Sequence, residues 1–364
     1  MAAQPDVGSA ACTRGLKQLS TVRKNHCTSY KSDTEYSFEE KSRARHSIWP
    51  STKYEQDTYK SFDSHQPTSP SQKKKPLTPP PSNPKFPLCP ATMSNTPIIL
   101  ITGGNTGIGY ETVKALYASP TPSTILMGSR SLTKAHAAIS TLQSEVPDSS
   151  STVTPLQVDI ENDDSVQAAF NEVHSKHGRI DALVNNAGAS FDLLMRNDAS
   201  IATLRTAWDK AYSLNVTSTQ AFTYVFMPLL LASPSPRLLF ITSGLSSLST
   251  CASGTNSKAL APGAAAKGWP KPATPSMVAY RSSKTALNMM MLDWARMLEP
   301  DGVKVFAISP GFLATGLGGL GKDALKGFGA GDASVGGEFI RDVVGGKRDG
   351  DAGKVVHKDG VQPW

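Results

Sequence analysis

The stretch IILITGGNTGIG, from Ile98 to Gly109, decides the fold of this chain of 364 residues. It begins with an apolar, β-branched run that predicts a buried strand. Gly103, Gly107 and Gly109 follow at the point where a helical pattern starts. Glycines there allow a tight turn and a close approach of the backbone to a pyrophosphate, and a helix N-terminus attracts anions. The spacing G-x-x-x-G-x-G differs from the commoner G-x-G-x-x-G, so a purely structural turn is the alternative interpretation.

Apolar runs and helical periodicity alternate from this point to the C-terminus. The predicted strands are Ile98–Thr102, Thr124–Gly128, Val153–Val158, Ala182–Asn185, Leu238–Thr242, Val303–Ile308 and Lys354–His357. The predicted helices lie near residues 107–118, 131–145, 163–177, 203–231, 280–299 and 334–344. This order predicts an α/β fold, a doubly wound (Rossmann) parallel sheet of about seven strands with helices on both faces. Such sheets bind ligands at the carboxyl ends of their strands.

Residues 1–92 differ in composition from the rest of the chain. They contain 11 of the 26 prolines and show no sustained apolar periodicity. Because such a segment buries too little apolar surface to offset its ordering entropy, we expect residues 1–92 to be a disordered tail and residues 93–364 to be a single catalytic domain. Met93 resembles a start methionine, so an over-extended gene model is the alternative explanation of the tail.

The net charge of +7 lies mostly in the same tail. Residues 1–92 hold 14 Lys/Arg and 8 Asp/Glu, which leaves the remainder close to neutral. No aromatic residue interleaves the run Lys73–Lys75, so nucleic acid is not an expected partner. The basic residues 1–31 suggest organelle import as an alternative to a cytoplasmic location. No apolar stretch is long enough to predict a membrane span.

Arg130 follows the second predicted strand, about 20 residues beyond the glycine turn, where dinucleotide-binding folds contact the adenine ribose. An acidic residue there binds the ribose hydroxyls of NAD, whereas an arginine neutralises the 2′-phosphate of NADP. Residues 124–133 contain no acidic residue, so we expect NADP(H) to be preferred over NAD(H). An exposed arginine at a helix start is the alternative. Cys251 is the one cysteine after residue 92, so no metal site is indicated.

Tyr280 and Lys284 form a Tyr-x-x-x-Lys pattern that also occurs at Tyr110 and Lys114. At about 100° per residue, Tyr280 and Lys284 lie in the apolar stripe of their helix. A lysine that faces the core needs partners, because an unpaired buried ammonium is costly. We therefore predict a functional role for this pair. The alternative is that the Lys284 side chain extends along the apolar stripe and places its ammonium in solvent. Tyr110 and Lys114 directly follow the glycine turn, and we predict that they serve packing and surface charge.

Two further polar residues are candidates for the same site. Ser243 ends the fifth predicted strand, where its hydroxyl could hydrogen-bond a substrate oxygen. Asn215 lies in the run Tyr212–Gln220 and could hold a water through its amide. Alternatively, Ser243 caps a turn and Asn215 satisfies backbone groups.

Taken in order, these motifs resemble those of the short-chain dehydrogenase/reductase family. The matching elements are TGGNTGIG at 102–109, Asp159 in LQVDI, NNAG at 185–188, Asn215, Ser243, YRSSK at 280–284 and PGFLAT at 310–315. The resemblance implies a set of cofactor-binding residues, and Arg130 is added to it because of its charge. The full set is Gly103, Asn105, Thr106, Gly107, Ile108, Gly109, Arg130, Asp159, Asn186, Ala187, Gly188, Tyr280, Lys284, Pro310, Gly311 and Thr315. The resemblance implies that Asp159 lies near the adenine and that Thr315 holds the nicotinamide carboxamide.

The resemblance also implies the catalytic roles. Tyr280 would be the general acid/base and Ser243 would orient the carbonyl. Lys284 would bind the nicotinamide ribose, and Asn215 would anchor a proton-relay water. A free phenol has a pKa of about 10, and we expect the Lys284 ammonium and the cationic nicotinamide to lower the pKa of Tyr280 toward working pH.

The main departure from the family is an insertion at about 246–276, before Tyr280. It is rich in Ala, Gly, Ser, Pro and Lys, with Trp269 as its one large side chain, and we predict a mobile wall or lid of the substrate cleft. Some monomeric carbonyl reductases of the family have insertions here, which argues against the usual homo-oligomer.

We therefore expect an NADPH-dependent carbonyl reductase, or secondary-alcohol dehydrogenase, that acts on an apolar or aromatic small molecule. The C-terminal residues 354–364 resemble fungal-type reductases, which suggests a secondary-metabolite or xenobiotic ketone. A non-catalytic NADP(H) sensor that binds a protein partner is the alternative from another class. A scaffold or nucleic-acid binder that acts through residues 1–92 is the third.

Overall fold

The structure of the chain is a computed structural model that describes residues 96–198, 200–255, 267–269 and 277–364. The disorder predicted for residues 1–92 lies outside the described residues. The same is true of most of the insertion predicted at 246–276. The division of the chain at residue 93 therefore stays a prediction.

The described residues form one eight-stranded sheet in the order β3-β2-β1-β4-β5-β6-β7-β8. The strands are β1 (Ile98–Ile101), β2 (Thr124–Ser129), β3 (Thr152–Gln157), β4 (Ala182–Asn185), β5 (Arg237–Ile241), β6 (Lys304–Ile308), β7 (Val355–His357) and β8 (Gly360–Val361). All pairs from β3 to β7 are parallel, and β8 pairs antiparallel with β7. The chain runs outward from β1 to β3 and then crosses back to β4. The order of the strands therefore reverses between β1 and β4. Doubly wound sheets bind ligands at such a topological switch point, at the carboxyl ends of the strands.

Helices cover both faces of this sheet. Within the described residues they are α1 (Gly107–Tyr117), α2 (Leu132–Glu145), α3 (Asp163–His177), α4 (Leu194–Asn197), α5 (Ile201–Tyr212), α6 (Thr219–Leu231), α7 (Leu248–Ala252), α8 (Val278–Met297), α9 (Lys322–Gly327) and α10 (Ala333–Val344). No helix in the described part of the chain is both long enough and apolar enough to span a bilayer.

Two hydrophobic cores lie on opposite faces of the sheet. Consecutive residues of β1 point into different cores: Leu100 packs with α3, α6 and α8, and Ile101 packs with α1, α2 and α10. Both side chains are 0% exposed. Each such side chain stabilises the fold by roughly 1.5–3 kcal/mol. The sheet has apolar side chains and packed helices on both faces, which confirms the predicted α/β doubly wound class.

Two details of the architecture were not predicted. The helix predicted over 203–231 is interrupted by a π-helical turn, Ser213–Ser218, between α5 and α6. The sheet also has an eighth strand, β8, whose two residues are too few to produce an alternating pattern.

Candidate active site

The predicted site residues follow four neighbouring strands of the sheet. The glycine turn follows β1, NNAG begins at the end of β4, Ser243 follows β5, and Pro310 follows β6. Because these strands are parallel neighbours, their carboxyl ends lie along one edge. The fold thus brings segments more than 200 residues apart to one edge of the sheet.

The glycine turn leaves room for a ligand at the start of α1. Gly103 and Gly107 have φ angles of 63° and 57°, which favour glycine. A Cβ at Gly109 would lie 2.2 Å from the Gly103 carbonyl oxygen, so any side chain there would collide with backbone. The N-cap residue Thr106 makes no side-chain hydrogen bond to the helix. The amides of the first turn of α1 are therefore suited to an anion such as a pyrophosphate.

The NNAG segment is hydrogen-bonded to this turn. Asn186 Nδ2 donates to the carbonyl oxygens of Thr102 and Gly103 at 2.9 and 3.2 Å. The backbone amides of Asn186 and Ala187 both donate to Thr102 Oγ1 at 3.0 Å. Thr102 is 2% exposed, so these bonds are shielded from water. They hold the two predicted cofactor-binding segments together.

Gly188 connects these segments to the predicted catalytic residues. A Cβ at Gly188 would lie 2.8 Å from Asn215 Oδ1 and 3.2 Å from Lys284 Nζ. Only a residue without a side chain lets the backbone pass this close to both groups.

Lys284 is buried in the site. Its side chain is on α8 and is 4% exposed, and its Nζ donates to the Ile241 carbonyl oxygen at 2.8 Å. The ammonium therefore does not reach solvent along the apolar stripe. Burial lowers the pKa of Lys284 to about 8, because the charged form loses its hydration.

Tyr280 lies one helical turn before Lys284 and is 6% exposed. Burial raises the pKa of Tyr280 to about 12, the Ser243 hydroxyl lowers it through a hydrogen bond, and the charge of Asp192 raises it. The Lys284 ammonium lies 5.8 Å from the centre of the Tyr280 ring. In the protein without its cofactor, the loss of hydration outweighs the other contributions. The lowering expected from Lys284 together with the cationic nicotinamide stays a prediction for the cofactor-bound site.

Ser243 makes hydrogen bonds both to Tyr280 and within its own turn. It hydrogen-bonds Tyr280, and its Oγ accepts a bond from the Leu245 amide at 3.2 Å. It also caps the short 3-10 turn Gly244–Ser246. Gln362, near the C-terminus, donates to the Ser243 carbonyl oxygen at 3.4 Å. Both roles considered for Ser243 are thus compatible with its position.

Asn215 lies in the π-helical turn and is 1% exposed. Its Nδ2 donates to the Ala189 carbonyl oxygen at 2.9 Å and to Ser283 Oγ at 3.0 Å. Its Oδ1 accepts a bond from the Ala189 amide at 3.0 Å. The side chain thus satisfies backbone groups, the alternative considered for it. With both amide hydrogens used, the residue could bind a water only through an oxygen.

The other predicted cofactor-binding residues lie around the same edge. Arg130 is exposed directly after β2. Asp159 is half-buried after β3, and its Oδ1 accepts a bond from the Glu161 amide at 3.1 Å. The Thr315 Cβ is 3.9 Å from the position of a Cβ at Gly107, so the segment after β6 contacts the glycine turn.

The second Tyr-x-x-x-Lys pair has a different environment. Tyr110 donates to Glu145 Oε2 at 2.9 Å, and Lys114 forms a salt bridge with the same carboxylate at 2.8 Å. Lys114 is 38% exposed, so this pair joins α1 to α2 at the surface, as predicted.

Two residues that contact the backbone of this site were not among the predicted site residues. Ser283 Oγ donates to the Tyr280 carbonyl oxygen at 2.7 Å. Asp192 accepts bonds from the amides of Ala279 and Tyr280. The Asp192 contact has no sequence signal, because an aspartate 87 residues before its partner belongs to no local pattern. Among the described residues, no cluster of His, Cys, Asp and Glu could hold a metal ion.

The chain is similar to known proteins of one family. A family model described as short chain dehydrogenase matches residues 97–259 and 270–323. The short-chain dehydrogenase/reductase eupG of Phoma sp is 50% identical over 73% of this chain and 97% of its own length. The short-chain dehydrogenase/reductase tropE of Talaromyces stipitatus is 44% identical over 75% of this chain and 99% of its own length.

Solved structures show the same fold. The NADPH-bound carbonyl reductase from chicken fatty liver matches with a TM-score of 0.58 and 20% identity, over 74% of this chain and 99% of that one. The 3-oxoacyl-acyl-carrier-protein reductase from Brucella melitensis in complex with NAD matches with a TM-score of 0.55 and 22% identity, over 72% and 96%. From the family model and the fungal relatives, this chain belongs to the short-chain dehydrogenase/reductase family of oxidoreductases.

Proposed function

We propose that the protein is an NADP(H)-dependent carbonyl reductase that acts on an apolar or aromatic small molecule, with Tyr280 as general acid/base. The observation that carries this proposal is the buried set of Tyr280, Ser243 and Lys284 beside the glycine turn. Tyr280 hydrogen-bonds Ser243, and Lys284 is buried one turn away. A cofactor-binding fold without a reaction has no need for such a set.

Each side chain has a separate task in this proposal. The bound nicotinamide cofactor supplies or accepts the hydride. Ser243 donates a hydrogen bond to the carbonyl oxygen, and Tyr280 gives that oxygen a proton as negative charge develops on it. With a pKa of about 8, Lys284 is roughly nine-tenths protonated at pH 7. Its charge would stabilise the phenolate that Tyr280 leaves.

The pKa of Tyr280 supports reduction as the favoured direction. Burial raises it to about 12, so the phenol holds its proton at neutral pH and is ready to act as an acid. Alcohol oxidation needs the phenolate and should be favoured only at higher pH.

The preference for NADP(H) rests on Arg130. Its guanidinium is exposed at the carboxyl end of β2, in a segment without acidic residues, where it could neutralise a 2′-phosphate. The structural neighbours include one protein bound to NADPH and another bound to NAD, so the fold alone does not decide between the two cofactors.

The proposed substrate class rests on the segment after β6. Phe312 and Phe328 are 39% and 61% exposed, on either side of Thr315 in the chain. Exposed aromatic side chains on the segment that follows the carboxyl end of β6 support an apolar or aromatic ligand.

The test is NADPH oxidation by the full-length chain against a panel of ketones, aldehydes and quinones. Tyr280→Phe should lower kcat by on the order of 100-fold or more while NADPH binding is preserved. Tyr110→Phe is the matched control, because it removes the same atom from the other Tyr-x-x-x-Lys pair and should leave kcat unchanged. Near-normal turnover of Tyr280→Phe would refute the proposed role. NADPH binding without oxidation of any panel member would favour a sensor instead.

A further inference from the structure

The loop after β4 supplies a carboxylate to the start of the helix that carries Tyr280. Asp192 Oδ1 accepts a bond from the Ala279 amide at 2.9 Å, and Oδ2 accepts one from the Tyr280 amide at 3.0 Å. Ser190 Oγ donates to the same Oδ2 at 3.1 Å. One half-buried carboxylate thus holds two backbone amides of α8 with its two oxygens.

This contact replaces a missing helix cap. The first amides of any helix have no partner within the helix, and a Ser, Thr, Asp or Asn at the N-cap usually binds those of the second and third residues. The N-cap residue of α8 is Met277, which has no side-chain oxygen and makes no capping bond. Met277 also has a φ of 47°, an uncommon value for a residue with a side chain. Ala279 and Tyr280 are the second and third residues of α8, so Asp192 does the work of a cap from a distant loop.

The same tyrosine is held on its other side. Ser283 Oγ donates to the Tyr280 carbonyl oxygen at 2.7 Å and itself accepts a bond from Asn215 Nδ2 at 3.0 Å. Asn215 in turn makes two hydrogen bonds to the backbone of Ala189. The backbone of Tyr280 is therefore held at both its N–H and its carbonyl, and both connections lead to the loop after β4.

We propose that Asp192 is a positioning residue for the reaction: its carboxylate fixes the start of α8 against the loop after β4, and so places the Tyr280 hydroxyl beside Ser243. This inference rests on the proposed role of Tyr280 and extends it to a residue outside the expected site. Reaction rates fall steeply when reacting groups move by about 1 Å. A carboxylate with two bonds limits such movement more than a single hydroxyl cap would.

The charge of Asp192 has a second, measurable consequence. The groups that face Tyr280 are Lys284 on its own helix, Ser243 after β5 and Asp192 after β4. The negative charge of Asp192 raises the pKa of Tyr280, because it disfavours the phenolate. Removing that charge should lower the pKa of Tyr280. The pH profile of alcohol oxidation, which requires phenolate, should then rise at lower pH.

The experiment compares variants of the full-length chain. Asp192→Ala removes both bonds, and Asp192→Asn removes the charge and presents a donor to one of the two amides. Asp198→Asn is the matched control: Asp198 lies nearby and accepts bonds from Ser200, but these stabilise a local turn. The measurements are kcat and KM for ketone reduction, the dissociation constant of NADPH, the pH profile of alcohol oxidation and the thermal midpoint.

We expect Asp192→Ala to lower kcat at least tenfold, with the NADPH dissociation constant within about twofold of wild type. Asp192→Asn should shift the oxidation profile to lower pH, a change that a purely structural role would not cause. If Asp192→Ala does not fold, the pH profile of Asp192→Asn decides. The inference is overturned if Asp192→Asn keeps the wild-type profile, or if a folded Asp192→Ala keeps the kcat of Asp198→Asn.

The two proposals fail in different ways. Normal turnover of Tyr280→Phe would overturn the proposed function and this inference together. Loss of turnover in Tyr280→Phe, with unchanged kcat and pH profile in the Asp192 variants, would overturn only the positioning role.

Discussion

Gly188→Ala tests how tightly the cofactor-binding loop is packed against the predicted catalytic residues. The new Cβ would lie 2.8 Å from Asn215 Oδ1 and 3.2 Å from Lys284 Nζ. The first distance is shorter than real Cβ atoms show, so a group must move. No positive φ is involved at Gly188, so the expected effect is steric.

The Asn215 side chain cannot move away from the new Cβ without losing hydrogen bonds. Its amide makes three hydrogen bonds of 2.9 to 3.0 Å: two partly buried bonds to the backbone of Ala189 and a buried bond to Ser283. Buried hydrogen bonds contribute about 0.5–1.5 kcal/mol each, and overpacking costs about 1–3 kcal/mol. We therefore expect Gly188→Ala to lower the free energy of unfolding by about 2–4 kcal/mol. Displacement of these groups should lower kcat at least tenfold.

The assays are urea unfolding and NADPH oxidation with the preferred ketone. Gly350→Ala is the matched control, because a Cβ there would meet no atom within 4 Å and the residue has no positive φ. We expect that control to stay within about 0.5 kcal/mol of wild type. If Gly188→Ala matched Gly350→Ala in both stability and kcat, the reasoning about this packing would be refuted.

Two further predictions concern charge. Folding lowers the pKa of Lys284 from 10.5 to about 8, so protonated Lys284 costs stability at pH 7, and this cost disappears as pH rises from 8 to 10.5. Lys284→Met should therefore raise the free energy of unfolding at pH 7 by on the order of 1–3 kcal/mol, after the lost bond to Ile241 is counted. The gain should shrink by pH 10, as measured by urea unfolding at a series of pH values; a gain independent of pH would contradict the burial argument. Arg130→Ala should raise the KM for NADPH at least tenfold and leave that for NADH within about twofold. Equal effects on the two cofactors would refute the assignment of Arg130 to the 2′-phosphate of NADP(H). Arg205→Ala, on the exposed face of α5, is the control.

Much of the fold and of the site can be predicted from local patterns. Helix α3 and strand β4 were predicted with their observed bounds, because apolar periodicity is a property of neighbouring residues. Periodicity placed Lys284 in the apolar stripe of its helix, and the position after the glycine turn set Tyr110 and Lys114 apart. Lys284 is buried, and Lys114 is 38% exposed and paired with Glu145.

Other features depend on contacts that no local pattern records. The π-helical turn that carries Asn215 lies inside the region predicted as one helix near residues 203–231. The bonds from Asp192 to α8 join residues 87 and 88 positions apart. The direction of the pKa shift of Tyr280 depends on how much water the folded protein removes from its ring.

The sequence by itself therefore determined the class of fold, the order of its elements and the identity of the residues at the strand ends, because each depends on side-chain polarity within a few residues. Only the tertiary structure decided how those residues are held and charged. A cap from a distant loop, a glycine that passes between Asn215 and Lys284, and the hydration lost by Tyr280 all arise when segments far apart in the chain pack together.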